Sequence, residues 1–595
     1  MIKSSSTQYS QNTRKIIPGS HGSMLKVTSV VLLISLLLAA CGGGTATQPI
    51  GGETATQPPG GESEIQPTTV ATEVPMSEGE PSTLRFGWLG APDTLNPAYA
   101  FLSESWTIFH LIYSTLTTQA TDGSYVGLLA KDWSVSEDGL TWTYHLQVGF
   151  KWHNGEPFTA DQLAWAINAI MKDPEGWATV SNYAAGFSEV TAPDANTLII
   201  KTEYLIGNMD YRTSFLYAFY PPDFENFTTA EELQNYPNDQ PIGTGPFKLN
   251  SFNKDSGVVI LDSNKDYVYG APKFDGIIFQ TFDNGDAMVQ ALKVGDIDAL
   301  TSVPASAYET VKGFENVKAT SADQSYFYEL IINSVDPNND PKPTGNPALA
   351  DSAVRLAMAY SINKQDLVDI VMQGLASPGD SIIAPAMGGG FWHDPNIKDV
   401  PFNIEEANRV LDEAGYTLGS DGVRSKGDWR LEFRLQFPST SPVYARISDM
   451  MVGWFQQAGI KVNPQSMDED SLIAITTPTG DYDLVIWAWE PDPDPDFILS
   501  VLTTDQFVEG GWSDSGYHNP EYDQAYLDQQ KQVNKTERQQ TIYKMQEMVF
   551  NDMPYIVLFY EDLLQAYRTD KFTGFIESQL GIEATESLMN VEPVK

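Results

Sequence analysis

The chain has a single cysteine, Cys41, among 595 residues, which excludes an intrachain disulfide and any C-x-x-C redox or zinc site. Histidine is scarce too, with six at positions 21, 110, 145, 153, 393 and 518. His145 and His153 stand eight apart near one expected hairpin with no third ligand in view, so no metal site is assigned. Basic side chains are outnumbered, 35 Lys and Arg against 78 Asp and Glu, for a formal net charge of −43. A surface of that sign repels phosphate backbones and argues against nucleic acid as a partner. No HExxH, GxSxG, Walker loop or Rossmann glycine pattern occurs, so no catalytic residue and no cofactor is assigned. A carboxylate-pair hydrolase has no motif to support it.

The amino terminus carries what charge of the other sign there is. Lys3, Arg14, Lys15 and Lys26 precede the apolar run Val27 to Ala40, which is short for a membrane span and fits a signal-peptide core over residues 1–40. The run ends Leu38-Ala39-Ala40-Cys41, which resembles a bacterial lipobox and marks Cys41 for lipidation. From Gly42 to Thr83 the composition turns to Gly, Thr, Pro, Gln and Glu, with TATQP at 45–49 and again at 54–58. Such a segment cannot build a core; it reads as a disordered tether over 41–83, spanning roughly 35 Å as a flexible chain. The expected location is extracytoplasmic, held at the membrane by Cys41.

The remaining length calls for two or three mixed α/β domains. Leu84 to Leu89 reads as a first strand and Trp106 to Leu116 as a helix. Gly139 to Gln147 alternates as a half-buried strand. Thr159 and Gln162 form a capping box for a helix with Leu163, Ile167 and Ile170 inward, and Asn403 with Glu406 makes a second reciprocal cap. Asp286 to Val294 reads as a helix followed by a strand through Ile297, Ser352 to Tyr360 with Lys364 to Gln373 as a helix pair, and Leu431 to Phe437 as a strand before a helix over Val443 to Gln457. Thr541 to Asn551 is the last helix, before a strand from Tyr555 to Tyr560. The glycines of PIGTGPF, 241–247, lack the setting of a nucleotide loop and read as a close chain crossing. One stretch changes character twice: in DYDLVIWAWEPDPDPDFIL, 481–499, the apolar run Leu484 to Trp489 fits a strand buried on both faces, and Pro491, Pro493 and Pro495 end it in a rigid loop carrying Glu490, Asp492, Asp494 and Asp496. Indoles beside fixed carboxylates suit an organic cation or a peptide amino terminus; a core strand with a solvated acidic turn is the alternative. The alternate aspartates are not a calcium loop, lacking its glycine and terminal glutamate.

Several segments fall together in one order: LNP at 95–97, DGSYVGLLAKDWSVSEDGLTWTYHLQVGFKWHNGEPFTADQL at 122–163, PIGTGPFKL at 241–249, NKDYVYGAPKFDGI at 264–277, VRLAMAYSINKQDLVDIVMQGLASP at 354–378 and EEANRVLDEAGY at 405–416. With them the chain resembles the extracellular solute-binding proteins of the oligopeptide, dipeptide and nickel class, family 5, that serve ABC importers. The resemblance implies a type II periplasmic-binding-protein fold of α/β class in three domains, two lobes plus an inserted small domain, closing about a hinge over ligand. Domain I would comprise 84–122, 241–330 and 553–595, domain II 123–240 and domain III 331–552. It further implies a monomer that hands a peptide to a permease and ATPase complex, with an oligosaccharide as the alternative ligand. By the W-x-x-D motif of peptide-binding relatives, Trp489 lines the channel and Asp492 pairs with the ligand amine. Trp487 and Ala488 lend a strand edge, Glu490 competes for the amine, and Tyr99, Ala100, Phe101 and Leu102 face them from domain I. Where such relatives place an arginine for ligand carboxylates, this chain has Leu484-Val485-Ile486.

Overall fold

In the computed structural model, residues 82–335 and 342–595 are described. The expected signal segment, Cys41 and the tether as far as residue 81 lie outside them, whereas Thr83, read as the end of the tether, opens the first strand, Thr83–Trp88.

An 11-stranded mixed sheet organises the body. Its order runs Lys461–Met467, Glu432–Pro438, Leu484–Trp489, Val317–Ile332, Tyr555–Arg568, Ala299–Leu300, Thr83–Trp88, Gly276–Thr281, Val258–Ser263 and Phe247–Asn253, with Ala376–Pro378 also on Tyr555–Arg568. Two long antiparallel strands join its halves. Val317 to Asp323 pairs with Arg568 to Asp562, and Phe327 to Ile331 pairs with Tyr560 to Tyr555, with a register shift between Asp323 and Phe327. The first half of this ladder adjoins Ala299–Leu300 and the second adjoins Leu484–Trp489. A separate four-stranded antiparallel sheet is built from Ala130–Val135, Thr141–Leu146, Thr197–Thr202 and Phe187–Asp194. Helix Ala160–Lys172 lies on it, its Leu163, Ile167 and Ile170 fully buried. That helix opens as the sequence predicts: Gln162 Oε1 accepts from the Thr159 N–H at 3.0 Å, completing the capping box.

Other elements depart from their expected form. The first helix is Ser103–Ile112 and stops before Leu116, because Thr115 and Leu116 turn into extended backbone that bonds residues 128–130. The strand expected through Ile297 is Ala299–Leu300. Lys364 to Gln373 is one short turn, Lys364–Asp366, followed by a wider turn, Leu367–Val371. Asn403 accepts from the Glu406 N–H at 3.0 Å, but the reciprocal half of that cap is not made, since the Glu406 carboxylate takes Arg409 Nε at 2.9 Å. The helix expected from Thr541 starts earlier, at Lys535, capped by Asn534; a further helix, Pro520–Lys531, precedes it, and a short one, Thr585–Asn590, follows near the carboxyl end. The strand from Tyr555 continues past Tyr560 to Arg568.

The glycines of 241–247 serve a close approach. A Cβ on Gly243 would lie 1.9 Å from the Ile112 carbonyl oxygen, so only glycine passes the end of the first helix. His153 locks the crossing: its Nδ1 accepts from the Gly243 N–H at 3.2 Å and its Nε2 bonds the Gly245 carbonyl at 3.1 Å. Burial lowers this imidazole to about 4, so it stays neutral.

One buried group opposes the fold at neutral pH. Glu329, in the middle of Val317–Ile332, is 0% exposed, and neither carboxyl oxygen has a hydrogen-bond partner among the described residues. Asp514 stands near it and accepts from the Tyr555 hydroxyl. The Trp489 indole N–H lies beside both carboxyls, outside hydrogen-bond geometry. Burial raises both acids, and Glu561 and Glu583 are pushed by burial to about 7. A carboxyl raised in the folded state contributes stability below its ordinary pKa and loses it as pH rises through the folded value. The thermal midpoint should therefore fall between about pH 5 and about pH 8. Glu329→Gln should flatten that fall and be roughly 1–3 kcal/mol more stable than the parent at the upper end, the order of an uncompensated buried polar group. A midpoint indifferent to the substitution at both pH values contradicts this.

Candidate functional site

The apolar run 484–489 folds as the strand that its residues demand, and it is paired unequally on its two sides. Against Val317–Ile332 it is bonded along its whole length, Leu484 opposite Ile332 through Trp489 opposite Phe327. On the other side Glu432–Pro438 meets only Leu484 and Val485. From Ile486 to Trp489 that side has no strand partner among the described residues, so an edge of main-chain donors and acceptors is left open. Trp487 and Ala488 are half-buried, whereas Trp489 is 5% exposed and packs edge-on to Phe497, ring centroids 6.0 Å apart. The spacing of Trp489 to Asp492 occurs a second time from Trp487 to Glu490; of the two indoles it is Trp487 that keeps accessible surface.

The proline loop then sorts its four acids. Asp494 is held by Arg538 in a bidentate pair, both contacts 2.6 Å and both side chains 2% exposed. Arg538 Nε donates to Gln529 Oε1 at 2.9 Å, and Gln529 Nε2 donates in turn to Asp496 at 2.6 Å. The guanidinium also lies over the Trp392 ring at 4.9 Å. Glu490 and Asp492 are left accessible, and neither makes an ion pair among the described residues. Protein nonetheless encloses them. Burial raises the Asp492 carboxyl to about 6, against the lowering influence of the nearby Tyr211 hydroxyl and with Asp494, Glu490 and Asp496 adding repulsion. Glu490 is raised by burial and by the charge of Glu104. The phenols of Tyr125, Tyr183 and Tyr211 surround Asp492 closely enough for its charge to raise each of them, after burial. Such an enclosure, rich in uncompensated negative charge and walled by aromatic rings, favours a ligand cation.

The stretch expected to face this loop divides. Ala100 is buried, Phe101 and Leu102 are half-buried, and Tyr99 is 42% exposed with its ring edge-on to Phe101 at 4.8 Å. The Asp93 carboxylate fixes their turn, accepting from the Phe101 N–H at 3.0 Å and the Ser105 hydroxyl at 2.7 Å. It is Glu104, two residues beyond Leu102 in the first helical turn, whose charge reaches Glu490. Glu104, Arg538 and the three tyrosines escaped the sequence reading. Glu104, Tyr183, Tyr211 and Arg538 stand outside the segments that carry the family resemblance, Tyr125 stands inside one that gives no sign of its role, and all meet the loop only by tertiary packing.

The family model described as bacterial extracellular solute-binding proteins, family 5 Middle, matches residues 124–509. Among curated proteins, the oligopeptide-binding protein AppA of Bacillus subtilis is 24% identical over 548 residues, 90% of this chain and 93% of that protein. The nickel-binding periplasmic protein of Escherichia coli is 25% identical over 408 residues, covering 66% and 73%. Among solved structures, AppA from Bacillus subtilis in complex with a nonapeptide superposes with a TM-score of 0.64 at 21% identity, over 87% of this chain and all of that one. The substrate-binding protein CtaP of Listeria monocytogenes gives 0.74 at 20% identity, over 87% and 100%. At these identities the structural likeness is one of fold, the type II binding-protein architecture.

Because Asp494 and Arg538 are both desolvated, removing one strands the other as a buried charge. Arg538→Met is expected to cost roughly 3–5 kcal/mol in urea unfolding. Adding Asp494→Asn should recover part of that loss, a coupling that a double-mutant cycle measures. Simple additivity would mean that the pair does not hold the loop.

Proposed function

The chain belongs to the bacterial extracellular solute-binding proteins, family 5, of ABC importers, and from that premise we propose that it captures peptides outside the cytoplasm and delivers them to a permease. The observation that carries the peptide is the open strand edge at Ile486 to Trp489 running into two carboxylates, Glu490 and Asp492, that make no ion pair among the described residues. An extended peptide adds to such an edge through main-chain hydrogen bonds, which are blind to its side chains. Its ammonium then pairs with Asp492, backed by the Tyr211 hydroxyl, while Glu490 with Glu104 draws the same charge from the other side. Trp487 and Trp489 shape the wall, the first by contact and the second from the core behind it. Tyr99 to Leu102 contribute the facing surface. The names of relatives as oligopeptide-binding proteins support the same reading.

In this reading residues 84–122, 241–330 and 553–595 form one lobe, 331–552 the other and 123–240 the inserted domain, with hinge bending at the register break between Asp323 and Phe327. Cys41 is the lipid anchor and the monomer is the working unit. The chain acts by binding, with turnover left to the importer.

Native mass spectrometry of the gently purified protein should reveal co-purified peptides; hexose-spaced masses would instead favour an oligosaccharide ligand. Asp492→Asn should weaken peptide binding by roughly 3–5 kcal/mol, the order for a broken buried ion pair, and N-acetylation of the peptide should do the same to the parent protein. Since Asp492 titrates near 6, affinity should hold from about pH 8 to about pH 7 and fall below about pH 6, where the carboxyl takes up a proton. Unchanged affinity in Asp492→Asn would pass the anchor to Glu490, which Glu490→Gln then tests.

A further inference from the structure

The open edge at Ile486 to Trp489 belongs to a strand with two faces. Trp487 and Trp489 pack into one core cluster and Ala488 into another, on the opposite side of the sheet. Ala488 stands opposite Tyr328 in the ladder, and Tyr328 stands opposite Phe559 in the next strand, so the three share one face in register. The rings of Tyr328 and Phe559 stack at 4.7 Å, and Tyr326 and Tyr444 each meet Tyr328 at 5.5 Å. Tyr444 comes from the first turn of helix Pro442–Gln457, which packs on this face. The smallest side chain of the open edge thus adjoins a group of three phenols.

Glu561 closes that group. It lies two residues beyond Phe559, at the slip in register of the long ladder. Its charge reaches Tyr326, Tyr328 and Tyr444, and the charge of Glu490 reaches Tyr326 from the strand end. Neither acid makes an ion pair among the described residues, and the charge that acts on Glu561 is the repulsive one of Asp562. The group is also within reach of solvent. Glu561 and Tyr326 are half-buried; Tyr328 and Tyr444 are 6% and 7% exposed, and their hydroxyls are not closed off as that of Tyr125 is. A carboxylate without a cation, set among the faces and hydroxyls of phenols, has the composition of a cage for an alkylammonium or guanidinium group.

We infer that Glu561, with Tyr326, Tyr328 and Tyr444 around it, receives a lysine or arginine side chain of the bound peptide and makes the protein selective for basic peptides. The inference rests on the peptide reading above and deepens it. A peptide strand added at Ile486 to Trp489 lies two strand spacings, roughly 9–10 Å, from Val317–Ile332. A peptide side chain on the Ala488 face must cross Ala488 to meet the phenols, and only a long one spans that distance. Main-chain addition is blind to side chains, so Glu561 supplies discrimination at one position of the ligand. The net charge of −43 draws such peptides toward the protein in the first place.

The test uses alanine tetrapeptides and hexapeptides that carry at one position either lysine or norleucine, which keeps the carbon chain and lacks the ammonium. Each is titrated by calorimetry into the full chain at pH 8, above the value of about 7 to which burial raises Glu561. At one position the parent should prefer lysine at least tenfold, and Glu561→Gln should bring that ratio to within about twofold of unity. Glutamine keeps the shape and removes a charge that burial disfavours, so folding is not at stake. Equal binding of lysine and norleucine peptides by the parent at every position, or a preference that survives Glu561→Gln, overturns the inference and leaves the peptide reading intact. Failure of every peptide to bind the parent overturns both.

Discussion

The ladder between Val317–Ile332 and Tyr555–Arg568 is the constraint on which the rest of the body depends. Strands belonging to its two halves have no other shared partner in the large sheet, because Ala299–Leu300 attaches only at the Arg568 end and Leu484–Trp489 only at the Tyr555 end. The ladder is continuous in covalent chain and discontinuous in register. Between Asp323 and Phe327 three residues stand opposite the single Glu561, so the register slips there by two. The same ladder carries Glu329, a fully buried carboxyl that gains nothing from ionising.

The site inherits its chemistry from a division of labour among like residues. Four acids follow one strand within seven positions, and repulsion alone would scatter them. Arg538 and Gln529 draw Asp494 and Asp496 into the core, where the ion pair and its hydrogen bonds offset desolvation. That holds the loop and leaves Glu490 and Asp492 accessible, with no ion pair among the described residues. Their raised carboxyls record the same fact energetically: enclosure without neutralisation stores an affinity for positive charge.

Local sequence determined what local physics can decide. The strand Leu484–Trp489 has the bounds that its apolar run and the following prolines dictate, and the caps at Thr159 and Asn403 start helices where their side-chain oxygens find free amide donors. Ordered motifs along the chain carried the family and with it the α/β architecture. Polar helices were less legible. Pro520–Lys531 and the first turns of Lys535–Asp552 show little apolar periodicity, because their buried faces include Gln529 and Arg538, hydrogen-bonded inside rather than hydrophobic. The strand past Tyr560 was hidden by Glu561 and Asp562, acids that no strand pattern predicts.

Tertiary structure alone decided which of several identical residues matter. Period two places Trp487 and Trp489 on one face, and only the packing of Phe497 against the second leaves the first accessible. Aspartates two apart in a proline loop are equivalent in sequence; an arginine 44 residues from Asp494 makes them unequal. Tyr125, Tyr183 and Tyr211 come to surround Asp492 only because distant chain segments meet at one loop. Spacing along the chain fixes what a segment can form by itself, whereas burial and pairing, which set charge and access, depend on what the fold brings against it.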